Sequence, residues 1–404
     1  MIFVRTCIVG SSALLGACSY LPPDVVPVHA STWPDKIKGL VDLLPNGGGG
    51  DQGAMRILFV HGMGVYNACY VDPLLVHLTK ALGVQQDRPT SVDTTDPCLQ
   101  EAAFHFALPT PIPVPADNAQ HQARLYHYKF SGAERHVDFW FLVWSPLTDV
   151  PKQTLLEPDL PVHHALLTDW VKTFEQDNLA DVVLYGGKYR QVLRSAVERA
   201  ICYFIGGAPE QDATVCDGGQ ANIPTAIITH SLGAYMVMDA LADIYRPASH
   251  RKPPESFDAS TKAACYLDQI FMLANQLKML DLTTRTSEIE TPRIVQRFHE
   301  VMNSPRVQTC RSARGLRSRQ IIAISDPNDI LSWEVTSKEF DRPNENVANV
   351  YLGVTGEYFG LYRLPVLEVA ASPSGAHLNY LQSDDTMDII ACGMTGSSIN
   401  RCAP

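Results

Sequence analysis

Residues 223–241, IPTAIITHSLGAYMVMDAL, decide how this chain is read. Thr225 to Thr229 is a short β-rich run, His230-Ser231-Leu232-Gly233 is a turn, and Leu232, Tyr235, Met236, Met238 and Leu241 then recur at helical spacing. A serine at a sharp strand-to-helix turn has its Oγ pushed out above the sheet. The N–H groups of the first helical turn then point at any oxyanion that forms beside it. Strand and helix nearly touch at such a turn, so small residues are wanted two before and two after the serine. Gly233 meets that need, whereas Thr229 stands where glycine is usual. The plain alternative is an ordinary strand, turn and helix in which Ser231 merely caps the helix.

Other segments bear on that choice. Upstream, Met55 to Val60 (MRILFV) is a continuous apolar run of the kind buried in a parallel sheet, and it ends in His61-Gly62-Met63-Gly64. Downstream, Gln320 to Ser325 is a strand followed by Asp326-Pro327-Asn328-Asp329. A carboxylate at the end of such a strand can accept the Nδ1–H of a histidine and hold the ring in the tautomer that takes a serine's proton. Asp326, next to Pro327, also suits an Asx-type brace, and in the bland reading both aspartates only form the turn. Val347 to Val354 supplies the last strand. His377 follows it in a loop, ahead of a helix-like tail from Leu381 to Ile390. His299 is a reserve base, but it precedes the acid in the chain.

A strand ending in HGMG, an elbow serine, a strand-end aspartate and a late histidine, in that order, resemble the α/β-hydrolase superfamily and its lipase- and esterase-like serine hydrolases. The resemblance runs from Met55 to Ile390. It implies an α/β-hydrolase fold, a mostly parallel central sheet flanked by helices and carrying insertions, with ligands bound at the carboxyl ends of the strands. It implies Ser231 as nucleophile and His377 as general base. Asn328-Asp329-Ile330 resembles the stretch that carries the acid in several lipases, which favours Asp329, with Asp326 as the alternative. The loop after HG supplies an oxyanion-hole N–H in this superfamily. Mapped here, Met63 donates one and Leu232, after the serine, the other. Some lipases of this class resemble the chain in carrying threonine at the place of Thr229.

The activity so implied is cleavage of carboxylic esters through an acyl-enzyme, without cofactor or metal. A transacylase or thioesterase would use the same triad. A catalytically silent binding or scaffold protein of the envelope is the rival from another class. Three intact site residues argue against silence.

The amino terminus, MIFVRTCIVGSSALLGACSY, has one basic residue, Arg5, and then a mostly apolar run from Thr6 to Ala17 without charge. The run is too short to span a bilayer and reads as a secretory signal. Leu15-Gly16-Ala17-Cys18 resembles the lipobox of bacterial lipoproteins, in which the cysteine is lipidated, and Ser19 after it implies sorting to the outer membrane. Residues 1–18 are thus expected as a signal peptide and 19–54, rich in proline and then glycine, as a tether. The hydrolase domain is expected from 55 to 404. A lipid-anchored enzyme sits among lipids, which favours lipid-like acyl substrates.

The net charge of −11 over 404 residues argues against a nucleic-acid surface, and no basic cluster contradicts that. Beyond Cys7 and Cys18, eight cysteines remain: Cys69, Cys98, Cys202, Cys216, Cys265, Cys310, Cys392 and Cys402. None has metal-ligand spacing, so four disulfides are expected of an exported chain; eight cysteines allow about 105 pairings, and the sequence-neighbour set, Cys69–Cys98, Cys202–Cys216, Cys265–Cys310 and Cys392–Cys402, is a guess among them. Leu74 to Leu82 and Val192 to Phe204 have helical spacing. Arg124 to Phe130, Val137 to Trp144 and Tyr266 to Leu273 read as strands. Residues 145–190 are less regular and are expected as a cap insertion. The pair His163-His164 within it reads as exposed or core histidines, because adjacent helical residues point apart. Thr283 to Arg319 reads as an insertion with a solvated, arginine-bearing surface.

Overall fold

Continuous apolar strands bury both faces, and this chain has four of them side by side. The computed structural model describes residues 23–29, 33–44, 53–100, 104–116, 121–156, 178–209, 216–218, 223–244, 264–281, 293–315, 318–337, 339–340, 345–354, 358–359, 370–371 and 373–402. Ten strands make the main sheet: β1 (Asp24–Pro27), β2 (Ala54–Val60), β3 (Gln85–Gln86), β4 (Ile112–Val114), β5 (Ala123–Ser131), β6 (His136–Val143), β7 (Thr225–His230), β8 (Leu267–Leu273), β9 (Arg319–Ser325) and β10 (Glu345–Tyr351). Their order is β1-β10-β9-β8-β7-β2-β6-β5-β3, with β4 added on β5. The six strands from β10 to β6 are mutually parallel, and both edges are antiparallel. Ile227 of β7 sits between Leu58 of β2 and Ile270 of β8, so the three strand ends reach one level.

Ten helices are described: α1 (Asp72–Leu82), α2 (Pro146–Leu156), α3 (Ala180–Gly186), α4 (Arg190–Phe204), α5 (Leu232–Ile244), α6 (Leu277–Asp281), α7 (Arg293–Met302), α8 (Pro305–Ala313), α9 (Pro373–Leu378) and α10 (Asp384–Cys392). The two-residue alternation of the strands sends Leu58, Ile227, Ile270 and Ile321 into one core with Ala196 of α4, Met236 of α5 and Phe298 of α7. The intervening Ile57, Ile228, Phe271 and Ile322 enter a second core with Leu74 of α1 and Ile390 of α10. The result is a mixed α/β protein whose mostly parallel sheet lies between two helical layers. Disulfides join Cys69 to Cys98, Cys202 to Cys216, Cys265 to Cys310 and Cys392 to Cys402, the neighbour pairing expected, with Cα separations of 5.4–5.8 Å.

Three expectations need correction. Part of the 19–54 stretch, expected as a tether, belongs to the domain: β1 extends the sheet, and Lys36–Lys38 pairs with the carboxyl-terminal hairpin strand Gly393–Thr395. Leu40 and Leu44 are buried beside it. Strands of three or four residues carry too little periodicity to be read locally. The arginine-bearing segment is not simply a solvated surface. Arg311 and Arg319 are buried and donate to the carbonyls of Cys265, Leu267 and Ala264, capping backbone groups near the amino end of β8. His377 stands in the short helix α9 rather than in a loop. The signal segment with Cys18 and the pair His163-His164 lie outside the described residues.

Candidate active site

The turn after β7 is strained in the way a strand-to-helix elbow demands. Ser231 has φ +53°, a left-handed value that a residue with a side chain seldom adopts. Its N–H donates to the Leu273 carbonyl at 2.8 Å, which holds it there. Two glycines permit the close approach. A Cβ on Gly233 would lie 2.5 Å from the Val60 carbonyl oxygen, and one on Gly62 would lie 2.5 Å from the Ser231 Cβ. Thr229, at the other small-residue position, is buried and turns its hydroxyl to the Phe271 carbonyl at 3.2 Å.

The elbow brings Ser231 to His377, 146 residues further on, with Oγ 2.9 Å from Nε2. On the far side of the ring, Nδ1 lies 3.0 and 2.9 Å from the two oxygens of Asp329. A carboxylate only accepts, so Nδ1 carries the proton and Nε2 is free to accept from the serine. Asp329 also accepts from the Tyr380 hydroxyl at 3.1 Å and from the Leu331 N–H at 3.0 Å. Asp326 faces elsewhere. Its Oδ1 accepts the Asn328 N–H at 2.8 Å and its Oδ2 the Val354 N–H at 2.7 Å, so it braces the turn. His299, the reserve base, is occupied between Glu345, at the amino end of β10, and the Glu339 carbonyl.

Met63 follows the glycine that touches Ser231, and Leu232 opens α5. Among the described residues neither backbone N–H has a hydrogen-bond acceptor. Met63 is thus one residue from the Gly62–Ser231 contact, and Leu232 is bonded to Ser231 itself. The neighbouring Gly64 N–H is engaged: it donates to Asp181 of α3 at 2.8 Å. Burial pushes the Asp181 carboxyl above its usual range, and Lys152 of α2 opposes that shift, with Nζ 3.1 and 3.2 Å from its two oxygens. Helices α2 and α3 come from the stretch expected as a cap, whose residues 157–177 lie outside the described ones.

Two histidines act as braces that the sequence did not identify. His61 accepts the Trp144 N–H on Nε2 at 3.0 Å and donates from Nδ1 to the Gly62 carbonyl at 2.7 Å. His230 donates from Nε2 to the carbonyl of His377 at 2.8 Å, and its Nδ1 accepts from the Tyr70 and Tyr66 hydroxyls. Burial pushes both rings down to about 3, so both are neutral around pH 7. A histidine next to the elbow serine was the available signal for His230, but its partner is remote in sequence.

No family model matches the chain, and no curated protein sequence matches it. Among solved structures it is similar to acetyl xylan esterase 1 from a Thermoanaerobacterium species, at 6% identity over 71% of this chain and 88% of that one, with a TM-score of 0.21. A likeness that low carries no argument about this chain's chemistry.

Proposed function

We propose that this chain is an α/β-hydrolase-type serine hydrolase that cleaves carboxylic esters through an acyl-enzyme on Ser231. The observation that carries the reading is the continuous bonded line from Ser231 Oγ through His377 to Asp329, built at the carboxyl ends of parallel strands. Oγ attacks the ester carbonyl carbon while His377 Nε2 takes its proton. The carbonyl oxygen becomes an oxyanion facing the N–H groups of Met63 and Leu232, each such donor being worth about 3 kcal/mol in the transition state. His377 then hands the proton to the departing alkoxide. Water attacks the acyl-enzyme by the same route in reverse. Asp329 holds the ring and stabilises the imidazolium without itself taking the proton.

The same residues would serve a transacylase or thioesterase, and the preferred acceptor decides among these. The apolar amino-terminal run and Cys18 support export and lipid anchoring in a bacterial envelope, at the outer membrane. The test is treatment of the folded, disulfide-bonded protein with a serine-directed fluorophosphonate and location of the adduct by mass spectrometry. An adduct on Ser231 that disappears in Ser231→Ala supports the reading. Failure to label even in the presence of detergent or short-chain lipid would return the chain to the class of silent, hydrolase-fold binding proteins.

A further inference from the structure

Ser231 is fully buried and His377 nearly so, which means that a substrate must pass whatever surrounds them. Among the described residues, exposed apolar side chains stand on the segments that carry the site. Val65, 64% exposed, follows the HGMG loop; Ile330, 66% exposed, follows Asp329; and Leu378 follows His377. Val150, Leu155 and Leu156 stand out on α2, whose Lys152 reaches the oxyanion loop through Asp181, and Val183 stands out on α3. Seven of the eleven exposed large apolar side chains among the described residues therefore lie on the segments that build or brace this one site. Scattered singly they would need no explanation, but their concentration on the segments of one site is what a surface that meets something apolar requires. On α2 the exposed residues between Val150 and Leu156 are Gln153, Thr154 and Leu155, none of them charged.

The direction of the chain says what that something is. β1 runs antiparallel to β10, pairing Asp24 with Tyr351, and Tyr351 pairs with Ser325 at the carboxyl end of β9. β1 thus begins at the carboxyl edge of the parallel strands, the edge that carries the site. In the sequence, Cys18 lies six residues before Asp24 and follows the uncharged apolar run. Six residues span at most about 20 Å. β1 and β7 are four strands apart, about 19 Å in the sheet. The rim lies further along the same edge, with Val65 after β2 and α2 after β6, so a bilayer holding the amino-terminal segment would face the edge that carries the rim.

We infer that the rim formed by Val65, Ile330, Leu378 and the outer faces of α2 and α3 docks on a lipid surface, from which an acyl ester enters the Ser231 site. This deepens the ester-hydrolase reading and rests on it for the substrate, while the docking itself does not depend on catalysis.

The experiment compares the full chain with its Val65→Ser/Ile330→Ser/Leu378→Ser variant, each in a Cys18→Ser background that removes the acyl anchor site. Flotation with vesicles of phosphatidylethanolamine and phosphatidylglycerol reads binding. Fluorophosphonate titration of Ser231 counts active sites. Turnover is measured on p-nitrophenyl acetate in solution and on a long-chain ester held in the vesicles. Exposed apolar-to-serine changes are expected to leave the urea midpoint essentially unchanged. Vesicle binding and vesicle-ester turnover should fall by about tenfold or more in the variant, with soluble-ester turnover per active site within about twofold. Equal vesicle binding by both proteins overturns the inference. So does loss of a dimer, rather than of flotation, in sedimentation of the variant. If the parent protein floats in a rim-dependent way but Ser231 never labels, the docking surface stands and the hydrolase reading falls.

Discussion

Replacing Lys152 by methionine should cripple turnover without touching a residue that meets substrate. Lys152 is 4% exposed and Asp181 fully buried, and their charged atoms lie 3.1 Å apart. Removing one partner of a buried pair typically costs about 3–5 kcal/mol, because the other charge is left uncompensated. Asp181 would keep the Gly64 N–H, and its charge would stand one peptide away from Met63. A bare negative charge there opposes the oxyanion that the reaction must develop. Losing one oxyanion donor outright costs about 10²–10³ in kcat, and we expect a fall of about 10–100-fold, with KM little changed.

The pH profile carries a further signature. Burial already raises the Asp181 carboxyl, and without Lys152 it should rise further. At low pH it is neutral and the oxyanion is less opposed. The deficit of Lys152→Met should therefore widen as pH rises and Asp181 ionises. The double variant Lys152→Met/Asp181→Asn removes both buried charges, leaves the partly exposed Asp149 that Lys152 also meets at 3.4 Å, and keeps an oxygen for the Gly64 N–H. It should recover kcat to within several-fold of the parent, consistent with the general finding that neutralising a whole pair is milder than halving it. Steady-state kinetics on a soluble ester, normalised to fluorophosphonate-titrated sites and accompanied by urea midpoints, is the assay. Unchanged kcat in Lys152→Met, or a double variant as poor as the single one, would refute the claim that this pair holds and charge-balances the oxyanion loop.

Asp329→Asn should lower kcat by about 10⁴, since an amide no longer enforces the Nδ1–H tautomer. Asp326→Asn should instead lower the urea midpoint and leave kcat within about tenfold, because it loosens the Val354 contact; the reverse pattern would assign the acid to Asp326. His61 and His230 are held neutral, with folded values of about 3 against an ordinary 6.5. Their depressed values give a contribution present above pH 6.5 and lost as pH falls towards 3, at about 1.4 kcal/mol per pH unit for each ring. Urea midpoints measured from pH 7.5 to 5 should therefore decline, and a flat profile would show that these rings are not buried as described. Cysteines 265 and 310 close a span of 45 residues, so Cys265→Ala/Cys310→Ala should cost about 4 kcal/mol in the chain-entropy account, read as a lower midpoint in denaturant. No change would mean that the unfolded chain is already compact there.

Much of the site could be read locally because its makers are local. A buried strand, a turn and a helix fit within residues 223–241, and their alternation and spacing place Ser231 without help from remote residues. Aspartate after β9 and histidine after the last parallel strand were likewise expected from order along the chain. The choice between Asp326 and Asp329 was not settled locally. Both leave the same strand end, and only the positions of Val354, Tyr380 and His377 direct one to the turn and the other to the ring. The tether expectation failed over Asp24–Pro27 for a related reason: an edge strand exists only when a partner lies alongside it.

The periodicity of the elements, the elbow at Ser231 and the order of the site motifs are legible in the chain alone, whereas the choice among the cysteine pairings came with the fold. The first three follow from backbone sterics and apolar alternation, which act over a few residues or a few dozen. Packing alone selects which polar groups face one another: His230 with the His377 carbonyl, Lys152 with Asp181, and Asp181 with Gly64. Buried polar groups must be paired, and a fold chooses their partners from the whole chain, with separations here of 29 to 147 residues. No local pattern encodes such a choice, because the cost that enforces it arises only after water has been excluded.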